Sequence, residues 1–385
     1  MAQRRISRYK KNKNYLQRIV VYAVSAVILI ITLINIFTPS ADFSEDENRQ
    51  LEKFPKASAA SIADGSFSAD FDSYYADQFF LRSSWVRLNF YAKYLIGQRC
   101  FSDVYIGKNG YLFSKPAEPD EEKNSATAAA INNFAGKHSD INTVFILVPD
   151  SASILKGLLP NGAVVRDQRE DIRVFSEQLD RAVKVVDAGT VLSEHGDEYI
   201  YYKTDHHWTS LGAKYVFEAT ASQLGVNDDA QYTMLPVTDS FEGTLASRSG
   251  DHRSKDEISI YKYEDDIQYI VNVPDIGYTA ASMYFSEKLD AKDKYTVFLG
   301  GNYPLVEVTT TASNGKNLLV FKDSYANCFL QFLIPYYGKI IMIDPRYYYD
   351  NVESVISNYQ ITDILYLYSA DTLLADTVLK DTLGN

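Results

Sequence analysis

The strongest constraint on this 385-residue chain is Ile19–Phe37, nineteen consecutive uncharged residues dominated by Ile, Val, Leu and Ala. A bilayer core is crossed by about 20 apolar residues of helix, so this stretch is expected to span a membrane. Residues 1–18 carry seven Lys or Arg and no acid. Basic residues stay on the cytoplasmic side, which places the N-terminus in the cytoplasm and everything after Phe37 outside the cell membrane. A cleaved signal peptide would have an apolar region of about 7–15 residues and an Ala-x-Ala-like site. Thr38-Pro39-Ser40-Ala41-Asp42 fits that poorly, and an uncleaved single-pass anchor is the expectation.

The organisation that follows is a basic tail (1–18), a transmembrane helix (19–37), an acidic stalk or linker (38–65) ending near Phe54-Pro55, and an extracellular domain over 66–385. That length buries a full core. The net charge of −12 argues against a nucleic-acid partner. Thirty tyrosines and twenty phenylalanines serve either as half-buried strand surface or as a platform on which sugars stack. Two cysteines, Cys100 and Cys328, make neither a disulfide framework nor a metal pattern. Two buried thiols are expected, although an exported domain would permit them to pair.

From Ser66 to Gln98, Phe67, Phe71, Tyr74, Tyr75, Phe79, Trp85, Leu88, Tyr91 and Leu95 recur at helical spacing, with Asp70, Asp72 and Asp77 on a solvated face. Val104–Ile106 and Tyr111–Phe113 flank Gly107-Lys108-Asn109-Gly110 as a hairpin. Strands are expected at Asn142–Val148, Lys184–Val186, Tyr199–Tyr202, Tyr295–Leu299, Asn317–Phe321, Lys339–Ile343 and Ile361–Leu367. Helices are expected at Ile172–Val183 and Leu211–Leu224, the latter capped by Thr209 or Ser210. This alternation predicts an α/β layered domain with a mainly parallel sheet. Residues 232–294 read as a β-rich insertion beside the active-site mouth, with Glu257–Tyr263 and Gln268–Val273 forming a hairpin.

The chemistry concentrates at Thr204-Asp205-His206-His207-Trp208-Thr209, where an acid precedes the only adjacent pair among five histidines. An aspartate two residues before His207 can accept its Nδ1 hydrogen and fix the tautomer a general base needs. A nucleophile is offered downstream. Ser324 follows the apolar run Asn317–Phe321 in Lys322-Asp323-Ser324-Tyr325, and a serine on a strand-to-helix turn has its hydroxyl lifted above the sheet beside the free N–H groups of the coming helix. Asp205, His207 and Ser324 are therefore candidate catalytic residues. Gly301 and Asn302 at a strand end are candidate oxyanion contacts. Asp150, Ser151 and Arg346, also at strand ends, are candidate substrate contacts, with turn chemistry or a salt bridge as the competing explanations. Two other readings of Asp205-His206-His207 stand beside this one. A metal site would lack a His-x-x-His or cysteine pair for the remaining ligands, so no metal is expected, and a histidine pair can be purely structural.

At these residues the chain resembles a known family. The Asp-x-His-Trp element with a later Asp-Ser turn is similar to the SGNH-like alginate O-acetyltransferase group, and the spelling Asp205-His206-His207-Trp208 resembles its DHHW branch from Gram-positive bacteria. The resemblance extends from Phe43-Ser44-Glu45-Asp46-Glu47-Asn48-Arg49 through Val104–Phe113 to Ile343-Asp344-Pro345-Arg346. Lys322-Asp323 stands where many relatives have Gly-Asp. The resemblance implies an SGNH-hydrolase-like fold with permuted motif order, a serine O-acetyltransferase or acetylesterase acting on cell-wall or exported polysaccharide, and no cofactor. It also implies a membrane-bound O-acyltransferase partner that supplies acetyl groups outside the cytoplasm. A non-catalytic polysaccharide-binding surface protein is the alternative.

Overall fold

The computed structural model describes residues 2–44, 46, 47, 49–264, 267–312, 315–375 and 378–384, with the backbone alone for 2–14 and 16. Glu45 and Asn48 of the motif quoted above lie outside the described residues. The chain divides into two compact units, residues 1–95 and 96–385. The division falls later than the expected domain start at 66, because the helices Ser66–Asp77 and Arg82–Leu95 group with the first unit.

In the first unit, one helix covers Ala2–Phe37, and its segment Gln17–Phe37 is long and apolar enough to cross a membrane. The expected stalk is more ordered than its composition implies. Phe43–Ser44 pairs antiparallel with Arg49–Gln50, and Arg49 makes two hydrogen bonds to Asp77, at 2.8 and 2.6 Å. Asp77 is thus buried rather than on a solvated face, and the hydrogen bond from Arg49 holds its carboxyl down, at about 2.

The second unit is built on an eight-stranded mixed sheet. Its strands are β1 (Asn142–Val148), β2 (Val183–Val186), β3 (Tyr269–Val273), β4 (Tyr278–Ala280), β5 (Leu305–Thr310), β6 (Asn317–Lys322), β7 (Lys339–Ile343) and β8 (Asp363–Ser369). In space they run β4-β3-β5-β7-β6-β8-β1-β2. The five strands from β7 to β2 are parallel, and β5, β3 and β4 extend the sheet antiparallel. Alternation along each central strand feeds two cores. Val144, Ile146, Leu318 and Val320 face one cluster, whereas Phe145, Leu147, Leu319 and Phe321 face the other. The first is closed by helices α2 (Ser210–Leu224) and α3 (Tyr325–Leu333), the second by α1 (Glu121–Lys137) and α4 (Val352–Tyr359).

Several local expectations change in space. Glu257–Tyr263 and Gln268–Val273 do not pair with each other. Asp256–Tyr263 pairs with Tyr232–Phe241, and β3 joins the main sheet against β5. Alternation marks a strand without naming its partner, which here lies earlier in the chain for one strand and later for the other. Tyr295–Leu299 is not a strand, because Lys294–Val297 forms one turn of 3-10 helix. The helix expected at Ile172–Val183 covers Gln168–Ser176, its Asp167 side chain accepting from Arg169 N–H. The hairpin at Val104–Ile106 pairs with Leu112–Ser114 around a 3-10 turn. Thr209 caps α2 through a bond from Gly212 N–H at 3.3 Å, and Gly225 ends it in a left-handed conformation, φ 63°. Both cysteines are free; Cys328 is buried and Cys100 only partly so.

Candidate active site

The loop carrying the acid and the histidines is pinched at its base. Tyr201 bridges Trp208, Tyr202 N–H donates to the His207 carbonyl at 3.2 Å, and Thr209 N–H donates to the Ile200 carbonyl at 2.9 Å. The expected strand Tyr199–Tyr202 reduces to this bridge. A carboxylate from further along the chain takes the place of a strand partner. Buried Asp256 accepts the N–H groups of Lys203 and Thr204, both at 2.7 Å, and the hydroxyls of Thr204 and Tyr199. Leu245 and Ala246 N–H donate to the Thr204 carbonyl at 3.0 and 3.1 Å. Trp208 lies in the core and donates its Nε1–H to the Tyr325 carbonyl at 3.0 Å, which ties this loop to α3.

Asp205, His207 and Ser324 meet across that tie. The Asp205 Oδ1 atom lies 2.6 Å from His207 Nδ1 and also accepts His207 N–H at 3.0 Å. His207 Nε2 lies 2.8 Å from Ser324 Oγ. The other carboxylate oxygen of Asp205 accepts Thr244 N–H at 2.8 Å and the Thr244 hydroxyl at 3.1 Å. Both lone-pair sides of the acid are thereby satisfied, which is what a buried carboxylate requires. Tyr295 stacks on the imidazole with ring centres 3.7 Å apart and planes at 12°, and its hydroxyl donates to the Ser324 carbonyl at 3.0 Å. The ring is fixed at both nitrogens and on one face.

Burial pushes the Asp205 carboxyl up, but neighbouring His206 and His207 outweigh it and hold the group well below the ordinary carboxylate range. For His207, burial reinforced by His206 lowers the imidazole to about 4, against the raising pull of Asp205. The imidazole is therefore neutral at neutral pH, with Nδ1–H given to Asp205 and Nε2 free to accept the serine hydroxyl hydrogen. Two consequences follow. The acid limb of kcat/KM for p-nitrophenyl acetate is expected near pH 4, well below an ordinary histidine, and a midpoint at 6–7 would contradict this environment. Because the folded-state value is depressed, the folded form resists this proton, so stability is lost as pH falls from about 6.5 towards 4 and is unaffected by this group above that window.

Gly243 shows how tightly the acid is packed. A Cβ at this position would overlap the Cβ and Oδ2 of Asp205 and sit 2.7 Å from its Cα. Gly243→Ala is expected to cost about 1–3 kcal/mol from overpacking and to lower the reaction rate through displacement of Asp205. A thermal melt and an esterase assay on the same sample check both.

Ser324 follows β6 and occupies the cap position of α3 with φ −65° and ψ −17°, an ordinary helical conformation. The helix N–H groups expected to be free are largely used. Buried Asp323 accepts Tyr325 N–H at 2.9 Å, and its other oxygen accepts the N–H and hydroxyl of Ser369, at 2.9 and 2.7 Å. Ala326 N–H bonds the Asp323 carbonyl and Asn327 N–H the Ser324 carbonyl. The capping task has gone to Asp323, which leaves fewer backbone donors at this turn for an oxyanion. Gly301 and Asn302 are brought against this first turn, where Asn327 Nδ2 lies 3.2 Å from Asn302 Oδ1 and 3.5 Å from the Gly301 carbonyl.

The remaining candidates have other partners. Arg346 holds Asp344 through two hydrogen bonds, at 2.8 and 2.6 Å, so the salt-bridge explanation accounts for its position. Asp150 caps the short helix that begins at Ser151, accepting Ser153 N–H at 3.0 Å. Its carboxyl is pushed up to about 7 by burial and by nearby Asp371, and its Oδ2 has no hydrogen-bond partner. Ser151 is buried beside it. Asp205, His206 and His207 also place ligand-type atoms within 4.8 Å of one another. An ion there would compete with Thr244, with Ser324 and with the His207–Asp205 bond.

Sequence reading passed over Gly243, Thr244, Asp256, Tyr295 and Asn327, and marked Lys322 only as a departure from the family pattern. Phe241–Thr244 reads only as loop and Tyr295 as the start of a strand. A polar residue that braces a site from fifty positions away carries no local signature.

Comparison with known proteins places the chain in a family and bears on its fold. A family model described as DHHW protein matches residues 121–343, more than half of the chain. The chain belongs to the DHHW family. The DHHW family protein of Eubacterium siraeum has the same fold, at 24% identity and a TM-score of 0.64 over 72% of this chain and 94% of that one. PatB1 of Bacillus cereus, in a structure with a sulfonyl adduct, aligns at 19% identity and a TM-score of 0.59 over 71% and 96% of the two chains. The O-acetyltransferase domain of Pseudomonas putida AlgJ aligns at 15% identity and a TM-score of 0.47 over 72% and 99%. No curated protein sequence matches. The shared fold is the layered α/β architecture described above, in which residues 205–208 lie on the loop before α2 and Ser324 on the turn before α3.

Proposed function

We propose that the chain is a membrane-anchored, extracytoplasmic O-acetyltransferase that passes acetyl groups through Ser324 to hydroxyls of a cell-surface or exported polysaccharide. The observation that carries this is the continuous bond path from Asp205 through His207 to Ser324, with 2.6 and 2.8 Å steps. His207 Nε2 takes the Ser324 proton as Oγ attacks the acetyl carbonyl, and the developing imidazolium is stabilised by Asp205. The tetrahedral intermediate collapses with the His207 proton leaving on the departing alcohol. An acetyl-serine remains. A sugar hydroxyl then loses its proton to His207 and attacks the ester carbonyl, and Ser324 departs with that proton.

The apolar segment Gln17–Phe37 and the basic residues before it support an anchor with the second unit outside the cell. Acetyl-CoA is not found there. The resemblance to the alginate O-acetyltransferase group therefore supports a membrane-bound O-acyltransferase as the supplier.

The test is p-nitrophenyl acetate turnover by the full chain in detergent, with and without a glycan acceptor, beside labelling by a sulfonyl fluoride. Acceptor-dependent acetyl transfer, with labelling lost in Ser324→Ala and His207→Ala, supports the reading. Acetate release that no acceptor diverts would make the protein an esterase. An unreactive Ser324 would leave a polysaccharide binder.

A further inference from the structure

The side chain of Lys322 is fully buried, with no exposed surface, although it lies only two residues before Ser324. Its direction is set by the strand. Leu318 and Val320 face the same core as α2 and α3, and the same alternation along β6 aims Lys322 to that side. On the neighbouring strand β7, Ile340 and Met342 share that face, and the next position in register is Asp344. The ammonium thus sits 3.9 Å from the Asp344 carboxylate. It donates to Asn327 Oδ1 at 2.8 Å and to Asn302 Oδ1 at 3.2 Å.

An ammonium has donors and no acceptor, so it can face only the oxygen end of an amide. Lys322 therefore decides which way two asparagines point. With Asn327 Oδ1 turned to Lys322, Asn327 Nδ2 is left to face Asn302 Oδ1 and the Gly301 carbonyl, as found. Asn302 Oδ1 takes both donors, and its NH₂ is directed away from them on an exposed side chain. We propose that Lys322 is a positioning residue that locks Asn302 with its amide N–H turned outward to receive the oxyanion formed at Ser324. This rests on the acyl-transfer reading above.

The charge is maintained by its surroundings. Burial lowers the Lys322 ammonium to about 8, Asp344 and Asp323 oppose this, and Arg346 adds to it. A neutral amine carries a lone pair and no longer forbids the NH₂ end of either amide. The lock is therefore set below about pH 8 and released above it.

Lys322→Met keeps the length of the side chain, and Asp344 retains its two bonds from Arg346, so the fold is expected to survive. Loss of one oxyanion donor typically lowers kcat by 10²–10³-fold. That loss is expected for Lys322→Met on p-nitrophenyl acetate, with KM little changed and sulfonyl labelling of Ser324 retained. Asn302→Asp, which keeps the acceptor for Lys322 and removes the donor, is expected to match it, and the double variant to be no slower than either. Wild-type kcat is expected to fall above about pH 8, whereas Lys322→Met is flat there. Full kcat in folded Lys322→Met, full kcat in Asn302→Asp, or multiplicative losses in the double variant would each overturn the role while leaving Ser324 chemistry intact. A wild type inert towards both ester and probe would remove the acyl-transfer reading and this role together. If Lys322→Met does not fold, exposed Asn302→Asp and the wild-type pH profile decide the matter.

Discussion

Ser324→Ala is expected to lower acetyl turnover by about 10⁶-fold, the scale of losing a nucleophile whose partners act as a unit, with little change in stability. The Ser324 side chain makes no cap bond to α3, and its contact with His207 is through the hydroxyl alone. Asp323 holds the turn from the other side. Removing one oxygen therefore leaves the scaffold in place. His207→Ala is expected to lose as much, and combining the two to add almost nothing, because neither group has a separate route to the product. Steady-state rates of the three variants, each with its melting temperature, form the test. A Ser324→Ala protein within tenfold of the wild-type rate would end the enzyme reading.

Asp205→Asn is expected to be second, with a loss of about 10⁴-fold, as in serine proteases altered at the equivalent acid. Each carboxylate oxygen faces donors only: His207 N–H and Nδ1 on one side, Thr244 N–H and hydroxyl on the other. An amide must put its NH₂ against one of these sets. Turned towards His207, it forces the tautomer with hydrogen on Nε2, which cannot accept the serine proton. Turned towards Thr244, it leaves a buried N–H against another, at about 1–3 kcal/mol. A 10⁴-fold rate loss corresponds to about 5.4 kcal/mol of transition-state stabilisation, so the rate should suffer more than the fold. Denaturant unfolding alongside kcat/KM measures both, and equal losses would make Asp205 a structural residue only.

Much of this site can be read along the chain because its parts are local. Asp205 and His207 are two residues apart, Thr209 opens a helix with an apolar face, and Ser324 ends an apolar strand that the next residues convert to helix. Each signal spans fewer than about fifteen residues, the range over which periodicity and capping act. What stayed hidden depends on partners chosen in three dimensions. Gln268–Val273 alternates correctly but says nothing about pairing with Leu305–Thr310 rather than with Glu257–Tyr263. Lys322 looks like the first polar residue of a turn, yet strand register sends it inward to Asp344. Tyr295 carries no spacing relation to His207, and its stacking arises from a 3-10 turn that propensity does not foresee. Asp77 shows the same limit in the first unit, where Arg49 draws it into a part-buried ion pair.

The clamp that Asp256, Gly243 and Thr244 place around the Asp205 loop divides the segment 232–263 into two regions with different freedoms. Its proximal stretch is constrained, because shortening or reshaping it would release the acid even though Asp205, His207 and Ser324 lie outside it. Its distal strands, Tyr232–Thr238 and Ile258–Tyr263, are joined to each other without bonding that loop. Divergence among related chains is therefore expected to accumulate at the exposed positions of these strands, such as Met234 and Leu235, where substitution leaves the clamp intact.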